Sequence, residues 1–307
     1  MKAAPFEYAR PATLTEACEL LAAHGPDAKL IAGGQSLVPM MAMRLARPAW
    51  LIDISRLVEL QRIAAPDALP AAADGHFVVG AGVRQCVMER EALAHASLPL
   101  LARALRFVGH VQTRNRGTIG GSIVHGDVSA EIALVACVLD AILELRDTSG
   151  ATEVPAREFF LAPMVTSIAP EQCLVEIRFP VWRGAGKAVT HGYAFDEVSV
   201  RHGDFALVSA CAQVELDADG RCVRAELGLG GAAPVPLALP EIGAQLAGTR
   251  LDAQSISAAA GAAADSSDPE SDLHASADYR RHLARVLVAR VLHAAKAEAI
   301  SKIEAAK

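Results

Sequence analysis

Between Leu14 and Ala23 the apolar residues Leu14, Ala17, Cys18, Leu20 and Leu21 recur three or four positions apart, the spacing that lines one face of an α-helix. Thr13 or Thr15 can cap its start, and Gly25-Pro26 stops it. The short apolar run Lys29-Leu30-Ile31-Ala32 then ends in Gly33-Gly34, as a buried strand running into a tight loop would. Helical spacing resumes through Leu37, Met40, Met41 and Leu45, with Pro39 tolerated because it falls in the first turn. Trp50–Ile54 reads as a second strand. Strand, glycine loop, helix and strand thus follow one another within about thirty residues, the order of a small βαβ unit.

Past Asp67–Gly75, a loop of Ala, Pro, Asp and Gly, the segment His76–Val83 reads as a strand leading into a helix over roughly Gln85–Ala94. A longer helix is predicted from Leu98 to about Val108. Thr118–Val124 reads as a strand, Ser129–Val138 as a helix, and Ala141–Leu145 and Cys173–Phe179 as strands. Composition changes at Pro180–Lys187, a natural boundary. Beyond it Phe205–Leu216 and Val223–Leu229 flank the turn Asp217-Ala218-Asp219-Gly220 as a hairpin. Ala253–Ala264 and Asp278–Lys296 are helical, the second with Leu283, Val286, Leu287, Val291 and Leu292 on one stripe. The acidic stretch Asp265–Asp272 between them reads as a solvated loop. Helices and strands mix without regular βα alternation, which predicts an α+β fold rather than a doubly wound one.

The 307 residues suffice for about two domains with cores of their own. Lys and Arg number 29 against 35 Asp and Glu, a net charge of −6, which disfavours nucleic acid as a partner. No apolar run approaches the ~18 residues of a membrane span, and Met1–Pro11 has no apolar core of an export signal. The six cysteines are scattered, with no Cys-x-x-Cys, so the usual zinc and iron–sulfur signatures are missing; free thiols in a reducing, cytoplasmic compartment are expected.

Chemistry concentrates in two glycine loops. In Ile31-Ala32-Gly33-Gly34-Gln35-Ser36-Leu37 two glycines let the backbone approach a ligand, and their N–H groups can converge on an anion such as a diphosphate. A plain tight turn is the alternative for this loop alone. The second, Thr118-Ile119-Gly120-Gly121-Ser122, adds hydroxyls, and Asp127 and Glu131 follow as acceptors for ribose or ring N–H groups; here the alternative is a glycine-rich strand end with Asp127 or Ser129 capping the next helix. Two such loops in one chain are what gripping one diphosphate from both sides requires. Val79-Gly80-Ala81-Gly82-Val83-Arg84-Gln85 imitates a nicotinamide fingerprint, but Gln85 replaces the third glycine, so it reads as a turn. Gly228–Pro234 likewise reads as a strand-end turn.

The pairing of Ala32-Gly33-Gly34-Gln35-Ser36-Leu37 with Thr118–Ser122 resembles the FAD-binding medium subunit of bacterial molybdenum hydroxylases, the xanthine dehydrogenase and carbon monoxide dehydrogenase family. Pro5-Phe6-Glu7-Tyr8 with Pro11, Arg201–Ala206 and Asp278-Tyr279-Arg280-Arg281 extend the likeness over nearly the whole chain. The resemblance implies a two-subdomain FAD-binding domain of the PCMH type over residues 1–178 (subdomains about 1–56 and 57–178), then a smaller C-terminal domain, 179–307, of antiparallel sheet and helices. FAD would lie between the subdomains, held by Ile31–Leu37 and Thr118–Ser122, with Asp127 or Glu131 accepting from it and Tyr193 covering the flavin ring. Gln35 stands where covalent flavoenzymes of the wider superfold place a histidine, so FAD is expected to be non-covalent. Asp196-Glu197 stands where some relatives place a lysine against the flavin.

The same resemblance implies an electron-exit subunit. Molybdopterin and [2Fe–2S] clusters would reside in a large and a small partner subunit, in a heterotrimer or a dimer of heterotrimers. Two other readings stay open on sequence: a stand-alone flavin oxidase or dehydrogenase of the same superfold, and an assembly scaffold that has lost its flavin.

Overall fold

A computed structural model describes residues 2–65, 75–182 and 189–305. Most of the Asp67–Gly75 loop and of the Pro180–Lys187 boundary segment lies outside these residues. Near the N-terminus the strands Glu7–Ala9, Trp50–Asp53 and Ala28–Ile31 form a parallel sheet with Trp50–Asp53 in the centre. The helix Leu14–His24, capped by the Thr13 hydroxyl, packs Leu14, Ala17, Cys18 and Leu21 against it. The predicted βαβ order is present, with Leu37–Ala42 as the short helix of the crossover.

Five antiparallel strands make the second sheet, ordered Ile63–Ala64, His76–Gly80, Cys173–Pro180, Ile142–Asp147 and Gly150–Pro155. Its core collects apolar residues from the helices Pro99–Ala104, Ile119–His125 and Glu131–Val138. The third sheet, Val189–Ser199, Ala206–Asp217, Cys222–Gly230 and Leu237–Ala238, is antiparallel and includes the predicted hairpin around Asp217–Gly220. Helices Pro240–Leu246, Ala253–Asp265 and Ala277–Ala305 cover one face of it. Its other face meets the second sheet's core, where Phe195 and Cys211 are buried and Phe195 packs on Phe107 at 5.1 Å between ring centroids.

Four expectations are corrected. Thr118–Val124 is not a strand: Ile119–His125 is helical, with the Thr118 hydroxyl accepting from Gly121 N–H at 3.0 Å. Ile119 and Ile123, four residues apart, are both fully buried, so helical burial overrode their β-branched preference. The helix over Gln85–Ala94 is broken at Glu91, whose extended backbone and side-chain cap start a second helix, Ala92–Ser97. The predicted Leu98–Val108 helix shortens to Pro99–Ala104. The acidic loop is only partly solvated: Ser267 and Pro269 are packed, Asp268 N–H donates to Ala232 O, and Asp272 pairs with Arg280 at 2.7 Å. All six cysteines are free thiols, five of them buried.

Candidate functional site

The strand Ala28–Ile31 delivers the first glycine loop, and the Arg84–Thr118 bridge delivers the second, beside it. Their approach is close. A Cβ on Gly33 would lie 2.4 Å from Arg116 O and 2.9 Å from Gly117 Cα, so only glycine lets the two backbones meet. Gly34 has φ +71°, a left-handed conformation that glycine adopts without steric cost. Among the described residues, the N–H groups of Gly33, Gly34, Gln35, Ser36 and Leu37 donate to no protein acceptor. Five consecutive unspent donors make an anion-binding concavity.

These loops line a cavity of about 1120 Å³. Gly33, Gly34, Gln35, Ser36 and Leu37 line it from the first loop, and Thr118, Gly121, Ser122, Asp127 and Glu131 from the second loop and the residues that follow it. Ile31 and Ala32 instead face an adjoining hollow of about 510 Å³, shared with Tyr8, Asp53 and Arg116. Ile119 and Gly120 belong to the packing: Ile119 is fully buried and Gly120 N–H donates to Ala81 O. Tyr193 is not in the cavity lining. It lies on Val189–Ser199, where its N–H donates to Glu298 Oε2 and its ring stands between Arg103 and Lys302. Burial pushes its phenol up to about 12. The Gly80–Gly82 imitation of a nicotinamide loop packs against Leu60, as a turn.

Several cavity residues had no role in the sequence reading. His125 follows the second loop, Arg201 and Gly203–Leu207 contribute from the connection and strand start in the third sheet, and Asp268–Asp272 and Arg280 also line the cavity. Arg201–Ala206 and Asp278–Arg281 carry the family likeness, but nothing in their composition assigns them to a wall. Behind the first loop, Asp53 is held by Tyr8 Oη (2.5 Å), Arg10 (2.9 Å) and Ser55 N–H (2.9 Å). Burial alone would raise its carboxyl; the hydrogen bonds from Ser55, Tyr8 and Arg10 outweigh it and hold it at about 2. Asp53 is in register with Ile31, so this knot fixes the strand that launches the loop. Burial, with the charge of Asp127, pushes Glu131 up to about 7.

The model of the FAD binding domain in molybdopterin dehydrogenase matches residues 4–182, and that of the CO dehydrogenase flavoprotein C-terminal domain matches residues 193–295. The chain belongs to the molybdenum hydroxylase flavoproteins. It is 37% identical over 293 residues, 95% of each chain, to the 6-hydroxypseudooxynicotine dehydrogenase complex subunit alpha of Paenarthrobacter nicotinovorans. Carbon monoxide dehydrogenase from Hydrogenophaga pseudoflava superposes with a TM-score of 0.90 at 34% identity, covering 97% of this chain and 100% of that one. Quinoline 2-oxidoreductase from Pseudomonas putida 86 gives 0.89 at 34% identity, with 98% and 100% covered. FAD is the cofactor of this flavoprotein, and the residues fit it: free amides and the hydroxyls of Ser36 and Ser122 for a diphosphate, and the Asp127 carboxylate farther along for polar hydrogens. No helix among the described residues is long and apolar enough to cross a membrane.

Proposed function

We propose that this chain is the electron-transfer flavoprotein of a molybdenum hydroxylase complex, taking electrons that leave a molybdenum subunit through the [2Fe–2S] clusters of a small subunit and passing them to an external acceptor. The observation that carries this reading is the junction of two glycine loops on one cavity, with five consecutive lining residues whose amides donate to no protein acceptor among the described residues. When bound, FAD supplies a centre that exchanges electrons singly or in pairs. Gly33–Leu37 would hold the diphosphate through backbone N–H groups, while Thr118 keeps Gly121 in place by accepting its N–H. Ser122 would add a hydroxyl from the second loop. Gln35 has no ring nitrogen to bond covalently; its amide donates to Gly33 O at 3.3 Å and stiffens the turn.

The same reading divides the chain at about residues 56 and 178, supported by the three larger sheets and the spans of the two family models. It places the complex in the cytoplasm, where unpaired thiols persist. Partners are a large molybdenum subunit and a small iron–sulfur subunit. The purified chain is expected to carry flavin absorption and to release FAD on denaturation. Its flavin should be reduced by substrate only when both partners are added. Reduction by an organic substrate with this chain alone would overturn the electron-exit role in favour of a self-sufficient dehydrogenase.

A further inference from the structure

The strand Val189–Ser199 turns alternate side chains into two cores: Phe195 into that of the second sheet, Ala194 into that of the C-terminal helices. Glu197 falls on the Phe195 side, directly opposite Ser209 on the neighbouring strand. Glu197 Oε2 and Ser209 Oγ are both shut off from water with no hydrogen-bond partner. Ser209 is in turn opposite Gly230, where an added Cβ would come within 3.5 Å of Leu134 Cδ2 and 3.6 Å of the carbonyl of Val128. The stranded polar pair therefore lies over the segment that carries Glu131. Glu131 is 9% exposed, lines the FAD cavity, and receives no side-chain hydrogen bond among the described residues.

We propose that Glu131, in the wall of the FAD cavity, and Glu197, buried behind that wall, act as one proton-holding pair, and that FAD binding is coupled to uptake of a proton by this pair. Two carboxyls within range of each other in a poorly solvated wall cannot both ionise cheaply, and they titrate as a unit. Burial lifts Glu197 to about 8, with the charges of Glu131 and Asp196 adding to it.

The surroundings do not neutralise the pair. Asp127 works against ionisation of Glu131; Arg114 favours it, but is already paired with Glu89 at 2.9 Å. Asp196, on the opposite face of the strand, is tied to Arg290 at 2.8 Å. The rest of the cavity wall carries Asp204, Asp268, Glu270 and Asp272 against Lys29, Arg201 and Arg280, with His125 and His274. Of these, Arg201 is paired with Asp204 and Arg280 with Asp272. An anionic dinucleotide entering this acid-rich cavity raises the cost of keeping the pair ionised. Below about pH 7 the pair already holds its protons. Above about pH 8 it has lost them, and binding must bring one back. FAD affinity should therefore fall as pH rises through this window, by up to about tenfold per pH unit for one coupled proton.

The test is titration calorimetry of FAD into the full chain stripped of flavin, in two buffers of different ionisation enthalpy, at about pH 6 and about pH 8.5. Uptake of about one proton per FAD at the higher pH and none at the lower is expected. Glu197→Gln mimics the protonated carboxyl, so it should bind FAD with little uptake and a flattened pH profile. Glu131→Gln should do the same, and serves if the first variant misfolds. Absence of proton uptake in the wild-type chain at about pH 8.5, or wild-type uptake in both variants, overturns the proposal. A binding isotherm without proton exchange would remove the pair's role while leaving FAD binding intact.

Discussion

Gly33 marks the point of contact between the two loops, and its missing side chain is a measurable quantity. In Gly33→Ala the new Cβ would meet backbone atoms that have no rotamer to escape into. The loops must separate, and the amides shift with them. We expect FAD affinity to fall by about tenfold or more, equivalent to about 1.4 kcal/mol, in a fluorescence titration, with the folded state otherwise retained. Asp53 acts one step behind the loop. Removing its charge in Asp53→Asn leaves Arg10 without its carboxylate, at an expected loss of about 2 kcal/mol in urea unfolding. Its carboxyl drops from an ordinary 3.8 to about 2 on folding, so its contribution is present above about pH 4 and is lost as pH falls toward 2. Wild-type stability should show that acid loss, and the variant should show less of it. The glycines and hydroxyls of both loops were legible in the sequence because glycine pairs announce close backbone approach. The knot at Asp53 was not, because Tyr8, Arg10 and Asp53 are brought together by pairing of strands far apart in the chain.

At the scale of elements, the second loop is the informative case. Thr, Ile, Ile and Val between Thr118 and Val124 favour a strand locally, yet the segment is helical because Ile119 and Ile123 both reach the same core at a separation of four. The Thr118 cap then becomes structural as well as part of the cavity wall. Thr118→Val should remove the hydrogen bond to Gly121 N–H and cost about 1 kcal/mol in chemical denaturation, with weakened FAD binding alongside. The strand Val189–Ser199 went unassigned from sequence for the opposite reason. Only Gly192, Ala194 and Phe195 of its residues are buried, and polar residues fall on both faces, Thr190 and Asp196 on one and His191 and Glu197 on the other, so no polar–apolar alternation marks it. That strand carries Glu197 as well as Tyr193. Tyr193, expected to cover the flavin ring, lies on this strand beside Arg103, Glu298 and Lys302.

Across the whole molecule, the third sheet is coupled to the cavity through its packed face. Phe195 is 8% exposed and stacks obliquely on Phe107 from the FAD-binding region. Phe195→Ala should cost about 3 kcal/mol, read by thermal or urea unfolding, and should lower FAD retention on gel filtration because part of the cavity's lining comes from the same sheet. A stability loss without any effect on FAD retention would mean that the sheet and the cavity respond independently. The sequence by itself determined the α+β class, the first βα unit, the C-terminal hairpin and helices, and the two loops, because these depend on local spacing and on glycine's missing Cβ. Only the tertiary structure decided that Thr118–Val124 turns into a helix, that the acidic loop lines a cavity, and that Glu197 lies over the segment bearing Glu131. Those outcomes depend on which surfaces bury each other, and burial between distant segments leaves no period in the chain.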